Sequence, residues 1–300
     1  MAASINPLHP VFAGEVSGVD LTRPIPGEDA AAIEAGMDRY GVLVFRNQDI
    51  SDEQQIAFTQ NFGELEHYET PGSVRKREDN RLGAGIADLS NLTKDGAIIP
   101  AEDRVWFFKL GDRLWHSDSS FRPVTAKYSL LSGRVLPSWG GNTEFADMRA
   151  AYDALDDRTK ADVANLVCEH SLLYSRAKVG FAEFTPEEVE HFQPVRHPLV
   201  RVQQATRRKS LYLSAHAGAI VGWTVPESRA FLADLTEHAT QHKLVYSHRW
   251  RQHDLVVWDN RITMHRARRF DRHEVRDMRR TTLGGELPIA AAVRDQPRLA

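Results

Sequence analysis

His116 and Asp118 stand two residues apart, and His265 follows 149 residues after His116. Two imidazoles and one carboxylate are the donors of a facial iron(II) site, which fixes three coordination positions and leaves the others open. Residues two apart on a β-strand share a face. His116 and Asp118 are therefore expected to grip one ion from a single extended segment. Cys168 is the only cysteine, so no thiolate cluster competes for a softer metal. Taken alone, a His-x-Asp pair says little. The chain holds 13 His and 41 acidic residues, and chance pairs in solvated loops are expected at that density.

Further spaced residues sharpen the reading. Thr143 lies 27 residues after His116, within Gly140-Gly141-Asn142-Thr143-Glu144-Phe145, and Arg276 lies 11 residues after His265. The chain thus carries Trp115-His116-Ser117-Asp118, then G-G-x-T, then Trp258-Asp259-Asn260-Arg261-Ile262-Thr263-Met264-His265, then an arginine. Other segments agree, among them Asn6-Pro7-Leu8-His9-Pro10, Val42-Leu43-Val44-Phe45-Arg46 and Asp147-Met148-Arg149-Ala150-Ala151-Tyr152. Over nearly its whole length the chain resembles the taurine dioxygenase/2,4-dichlorophenoxyacetate dioxygenase family of Fe(II)/2-oxoglutarate enzymes, and is more similar to its aryloxyacetate branch.

That resemblance implies a fold and a chemistry. The fold would be mixed α/β with a mainly β core, a double-stranded β-helix (jelly roll) with helical insertions, forming one domain over residues 1–300. His116, Asp118 and His265 would be the catalytic ligands of Fe(II). 2-Oxoglutarate would be the cosubstrate, O2 the oxidant, and succinate and CO2 the by-products. Arg276 would hold the far carboxylate of 2-oxoglutarate, because a planar guanidinium can bind a carboxylate through two hydrogen bonds. Thr143 would add a hydroxyl. Homo-oligomers are common in the family, so a homo-oligomer is expected.

The substrate reading is a small anionic organic compound, foremost an aryloxyacetate-like acid. A sulfonate or another carboxylate is the alternative within the class, and a non-catalytic jelly-roll metal-binding protein the alternative outside it. Arg280 lies four residues after Arg276 and would share its face on a strand, which makes it the candidate for the substrate anion. Arg279 is the neighbour with which it could be confused. Both belong to a run of seven arginines between positions 266 and 280, most of which must be solvated or ion-paired. His216, in Ser214-Ala215-His216, is a candidate for the pocket wall, against the plainer reading of a structural histidine. Asp112 departs from the family, whose members often carry Asn there. It would repel a substrate carboxylate unless paired, with Lys109 or Arg113 nearest in sequence.

The 300 residues suffice for a large core. A formal net charge of −3 makes no electrostatic case for nucleic acid. No segment approaches the roughly 20 apolar residues that cross a bilayer, and the N-terminus lacks a signal-peptide pattern. A cytoplasmic protein without membrane partners is the expectation.

The elements that must position these residues are partly legible. Residues 41–45 read as a buried strand. Ser51 with Gln54 is a capping box, so a helix should start there and end at Gly63. Residues 66–104 are irregular and, by the resemblance, would form a lid. Residues 127–136 read as a strand and 137–142 as a Gly/Pro turn. Asp147 should open one helix and Asp157 another, with Cys168 buried in an apolar helical stretch after residues 163–167. Residues 200–202 and 211–213 read as strands. Thr224 with Glu227 forms a second capping box, with Pro226 in its first turn. Residues 244–246, 255–258 and 281–283 read as further strands. Periodicity by itself supports only a mixture of α and β; the jelly roll comes from the resemblance.

Overall fold

The computed structural model of the chain describes residues 2–66, 74–75 and 77–285. Residues 67–73 and 76 of the expected lid lie outside the described residues. The architecture is mixed α and β with a strand-rich core. A seven-stranded sheet runs in the order Ser4–Pro7, Gly14–Ser17, Val42–Phe45, Leu255–Asp259, Ala126–Val135, Asp277–Gly284 and Ala87–Asp88. It is antiparallel except where Gly14–Ser17 meets Val42–Phe45. A three-stranded antiparallel sheet joins Val245–His248, Thr143–Asp147 and Thr263–Ala267.

The alternation of side chains explains how these sheets stack. Leu43, Phe45, Leu255 and Val257 pack with Ile33 and Met37 of the helix Gly27–Tyr40. Their sequence neighbours Val42, Val44, Val256 and Trp258 point the other way, onto Phe145 of the smaller sheet. The central strands are covered on both faces, and accordingly read as unbroken apolar runs. A further core gathers Met148, Leu213, Leu232, Leu235 and Met264 beneath the helix Val225–Ala239.

Local signals placed many helix starts. Ser51 and Gln54 make the reciprocal capping bonds of the helix Asp52–Thr59, and Thr224 and Glu227 those of Val225–Ala239. Asp147 accepts from the backbone of Arg149 and Ala150 at the head of Met148–Asp153. Asp156 caps Asp157–Val163. Three expectations need correction. Cys168 lies on the strand Val167–His170, not in a helix, because this stretch buries alternate residues, Cys168 and His170, against its neighbours. The strand expected at 211–213 is Lys209–Leu211, set by pairing with Val200–Val202. His116 and Asp118 are not on a strand either: His116 makes a single isolated bridge to His265, and a turn begins at Asp118. No helix among the described residues is long and apolar enough to cross a membrane.

Candidate active site

The bridge brings the two histidines together. His116 N–H donates to the His265 carbonyl at 2.9 Å, and His265 N–H donates back at 2.8 Å. The turn after Ser117 folds Asp118 between the rings. Its carboxylate lies 3.9 Å from His116 Nε2 and 3.8 Å from His265 Nε2. One donor atom from each of the three residues falls within 4.8 Å of the others, and all three residues are buried. The structure therefore assembles this trio, by a route other than a shared strand face.

The donor chemistry suits a metal ion. His116 Nδ1–H donates to the Leu114 carbonyl at 2.7 Å, which leaves Nε2 as the ring nitrogen facing Asp118. An outer hydrogen bond of this kind fixes the tautomer of a ligating histidine. Burial, and then His116, hold the His265 pKa well below the usual histidine value, while Asp118 pulls the other way. His265 is thus a neutral donor. Burial pushes the Asp118 carboxyl up, but Arg280, His265, His116 and the Ser129 hydroxyl outweigh it and hold it at about 2. Asp118 is ionised at neutral pH. A closed structural zinc site has four protein ligands, and the cluster among the described residues offers three. That is the donor set of an ion with open positions, and the residues present fit iron(II).

A cavity of about 220 Å³ is lined by His116 and Asp118 of this trio. Arg280 reaches into it and donates from Nη1 to Asp118 Oδ1 at 2.5 Å. Arg279 does not, because strand alternation sends it to Asp52 and Asp277. His216 lines the same cavity, with its ring centre 5.0 Å from that of Phe121 and 6.2 Å from that of His116. Burial, and then Arg176, keep His216 neutral. Asp112 also lines the cavity, and its partner is Arg176 at 3.1 Å rather than Lys109 or Arg113. Chain direction explains the miss: Arg176 arrives from the helix Leu172–Ala177 and lies across Gly111, where a Cβ would sit 1.9 Å from its Nη1.

Arg276 opens on a second, smaller cavity of about 50 Å³, which shares Leu89, Lys109 and Asp112 with the first. Arg276 and Arg280, four residues apart, line neighbouring cavities that share a wall. Arg276 precedes the strand Asp277–Gly284, and the register shift between Asp277 and Met278 skips Arg134 on the neighbouring strand. The Arg276 guanidinium donates to the Leu89 carbonyl at 3.1 Å and lies over the Phe270 ring. Among the described residues no carboxylate forms a close ion pair with it. Burial lowers its pKa to about 10, against the pull of Asp112. A buried guanidinium without a carboxylate partner suits an incoming carboxylate ligand. Thr143 is buried at the start of its strand, and its hydroxyl accepts from Trp250 Nε1 at 3.0 Å.

Sequence reading passed over Arg176, Ser129 and a role for Asn260. Of these, Asn260 stood inside a quoted motif, whereas Ser129 and Arg176 carry no local signature. Trp258 is buried with its ring centre 4.7 Å from that of His265 and packs against it.

The model of the family described as "Taurine catabolism dioxygenase TauD, TfdA family" matches residues 4–282. The chain is 44% identical over 282 residues to the alpha-ketoglutarate-dependent 2,4-dichlorophenoxyacetate dioxygenase of Cupriavidus pinatubonensis, covering 94% of this chain and 98% of that protein. It is 37% identical to the (S)-phenoxypropionate/alpha-ketoglutarate-dioxygenase of Delftia acidovorans, covering 94% of each. A crystal structure of AAD-2 in complex with Mn(II) and N-oxalylglycine superposes with a TM-score of 0.94 at 56% identity, covering 96% of this chain and 99% of that one. The chain belongs to the taurine catabolism dioxygenase TauD, TfdA family.

Proposed function

We propose that this protein is an Fe(II)- and 2-oxoglutarate-dependent dioxygenase that hydroxylates an aryloxyacetate-like acid. One observation carries the reading: the buried His116, Asp118 and His265 donors cluster beside a cavity, lined by His116 and Asp118, whose wall is apolar in part and cationic in part. Phe108, Phe121, Leu82 and Ile86 offer an aromatic ring a dry surface, while Arg280 and Lys109 offer charge to an acid group. The relatives named for aryloxy acids match over nearly the whole chain. We take the seven-stranded and three-stranded sheets as the two faces of a jelly roll, within one domain over residues 1–300. The described part of segment 66–104 is assigned as a cover for the cavity, since its Arg75, Asn80, Leu82 and Ile86 line the wall.

In this reading His116, Asp118 and His265 hold the metal. Bound iron, with 2-oxoglutarate and O2, supplies the oxidising power for C–H hydroxylation. The Arg276 guanidinium binds the far carboxylate of 2-oxoglutarate, and the remaining hydroxyl proton of Thr143 donates to it. Arg280 meets the acid group of the substrate beside the metal. His216, being neutral, shapes the wall without adding charge. The Asp112–Arg176 pair cancels its own charge, so Asp112 does not repel the acid. The aromatic wall keeps water from the reacting carbon. Hydroxylation beside the ether oxygen gives a hemiacetal, which collapses to a phenol and a glyoxylate-type product.

The test is oxygen uptake and succinate release with Fe(II) and 2-oxoglutarate, across aryloxyacetates, sulfonates and simple carboxylic acids. Stimulation by aryloxyacetates above the others is expected. Uptake that responds to none of these acids would sink the substrate reading. His265→Ala should abolish turnover and keep the wild-type circular dichroism spectrum. Substantial activity in that variant would remove His265 from the ligand set.

A further inference from the structure

Behind Asp118 runs a closed circuit of three hydrogen bonds, with a fourth joining it from Trp258. Asn260 Oδ1 accepts from the Asp118 backbone N–H at 3.0 Å and from the Trp258 indole N–H at 3.0 Å. The Asn260 amide nitrogen donates to Ser129 Oγ at 2.9 Å. Ser129 Oγ–H donates to Asp118 Oδ2 at 2.7 Å, which closes the circuit. Asn260 and Ser129 are fully buried, Trp258 is 1% exposed and Asp118 5%.

The direction of every proton in this circuit is forced. An indole N–H and a backbone N–H can only donate. The amide oxygen of Asn260 must face them, so its NH2 must face Ser129. A hydroxyl that already accepts there turns its own proton toward Asp118. The circuit is tied to the sheet. Ser129 and Trp258 are cross-strand partners on Ala126–Val135 and Leu255–Asp259. Asn260 N–H donates to the Lys127 carbonyl at 2.9 Å, which holds the residue at the end of that ladder. The strand register is thus transmitted through two side chains to one carboxylate.

We propose that Ser129 and Asn260 are positioning residues, which hold the Asp118 carboxylate in the one orientation that faces both imidazoles. Neither touches the metal in this scheme; both act through Asp118. The inference rests on the metal-centre reading above. Without the circuit, Asp118 turns about its side-chain torsions, and Arg280, already bonded to Oδ1 at 2.5 Å, is left as its charged side-chain partner.

The experiment is Mn(II) titration of the metal-free full-length chain by electron paramagnetic resonance. It compares wild type with Ser129→Ala, Ser129→Cys and Ser129→Thr, and records the melting temperature of each metal-free protein. Loss of an outer partner of a metal ligand weakens metal affinity by roughly 10–100-fold. Ser129→Ala should show a loss of that order. Ser129→Cys keeps the volume but has a weak donor, so it should lose affinity in the same direction, and it carries the test if the alanine variant does not fold. Ser129→Thr keeps the hydroxyl and should bind as wild type does. Ala and Cys variants within twofold of wild type would overturn the proposal. So would an equal loss in all three variants, which would trace the effect to packing. A wild-type chain that fails to bind Mn(II) would instead overturn the metal-centre reading, and this inference with it.

Discussion

Lys109 lies between the two cavities, with its ammonium donating to the carbonyls of Ser90 and Asp88. Burial, then Arg75, pull its pKa down, and Asp88 and Asp112 oppose them; the balance stands at about 8. The side chain is charged at pH 7 and loses its proton as the pH rises through about 8. Anion binding should weaken over the same range. We expect the apparent KM for an aryloxyacetate to climb above pH 8 in wild type. Lys109→Met should already show a raised KM at pH 7, on the order of tenfold for about 1.4 kcal/mol, and no step near pH 8. His216 adds no step there, since burial and Arg176 keep it neutral. Stability should move the other way. The unfolded chain keeps the Lys109 proton up to its ordinary value of 10.5 while the folded chain releases it near 8. Between those values the unfolded state binds more protons, so the Lys109 contribution to stability rises with pH. A step in KM near pH 8 that persists in Lys109→Met would assign the titration to another group.

The turn 137–142 shows how an element delivers a residue to the site. Gly140 has φ +74°, and a Cβ there would sit 2.3 Å from the Arg269 carbonyl oxygen and 3.0 Å from the Phe270 Cα. Both are backbone atoms that cannot swing aside, because Gly141 N–H donates to that same carbonyl at 2.9 Å. Gly222 also has a positive φ, +86°, but open space around it. Gly140→Ala should therefore lose more than backbone strain alone, roughly 2–3 kcal/mol or more against about 1 kcal/mol for Gly222→Ala. Denaturant midpoints measure the difference. Equal losses would mean that close approach does not constrain the turn before Thr143. The same turn, and the capping boxes at Ser51 and Thr224, were legible in sequence because their chemistry is complete within a few residues. The His116–His265 bridge was not, since it pairs segments 149 positions apart. The register shift between Asp277 and Met278, opposite Arg134, was equally hidden. Cys168 misled because a short apolar run fits a helix or a strand until its partners, here Val195–Pro198 and Ala217–Ile220, are known.

At the scale of the whole molecule, the fold carries a cost that a ligand can offset. Arg276 is buried at the small cavity, its pKa lowered by desolvation, with no close carboxylate among the described residues. Burying an unpaired charge opposes folding, and a bound carboxylate would relieve it. N-Oxalylglycine has an NH where 2-oxoglutarate has a CH2, and so presents the same far carboxylate. With Mn(II) it should raise the melting temperature of the wild-type chain, since a ligand that binds only the folded state stabilises it by mass action. Arg276→Lys keeps a charge but loses the planar fork. A lost charge-assisted hydrogen bond is worth about 1.5–3 kcal/mol, so the affinity should fall roughly tenfold or more. At a fixed saturating concentration each tenfold removes about 1.4 kcal/mol of the stabilisation. The metal-free, ligand-free melting temperature should change little by comparison, because both side chains are buried cations. Arg280→Lys should leave the N-oxalylglycine shift nearly intact, as Arg280 lines the larger cavity and not the smaller. The two variants thus divide the molecule at the wall formed by Leu89, Lys109 and Asp112. If Arg280→Lys abolishes the shift and Arg276→Lys preserves it, the cosubstrate lies on the other side of that wall, and the two arginines exchange roles.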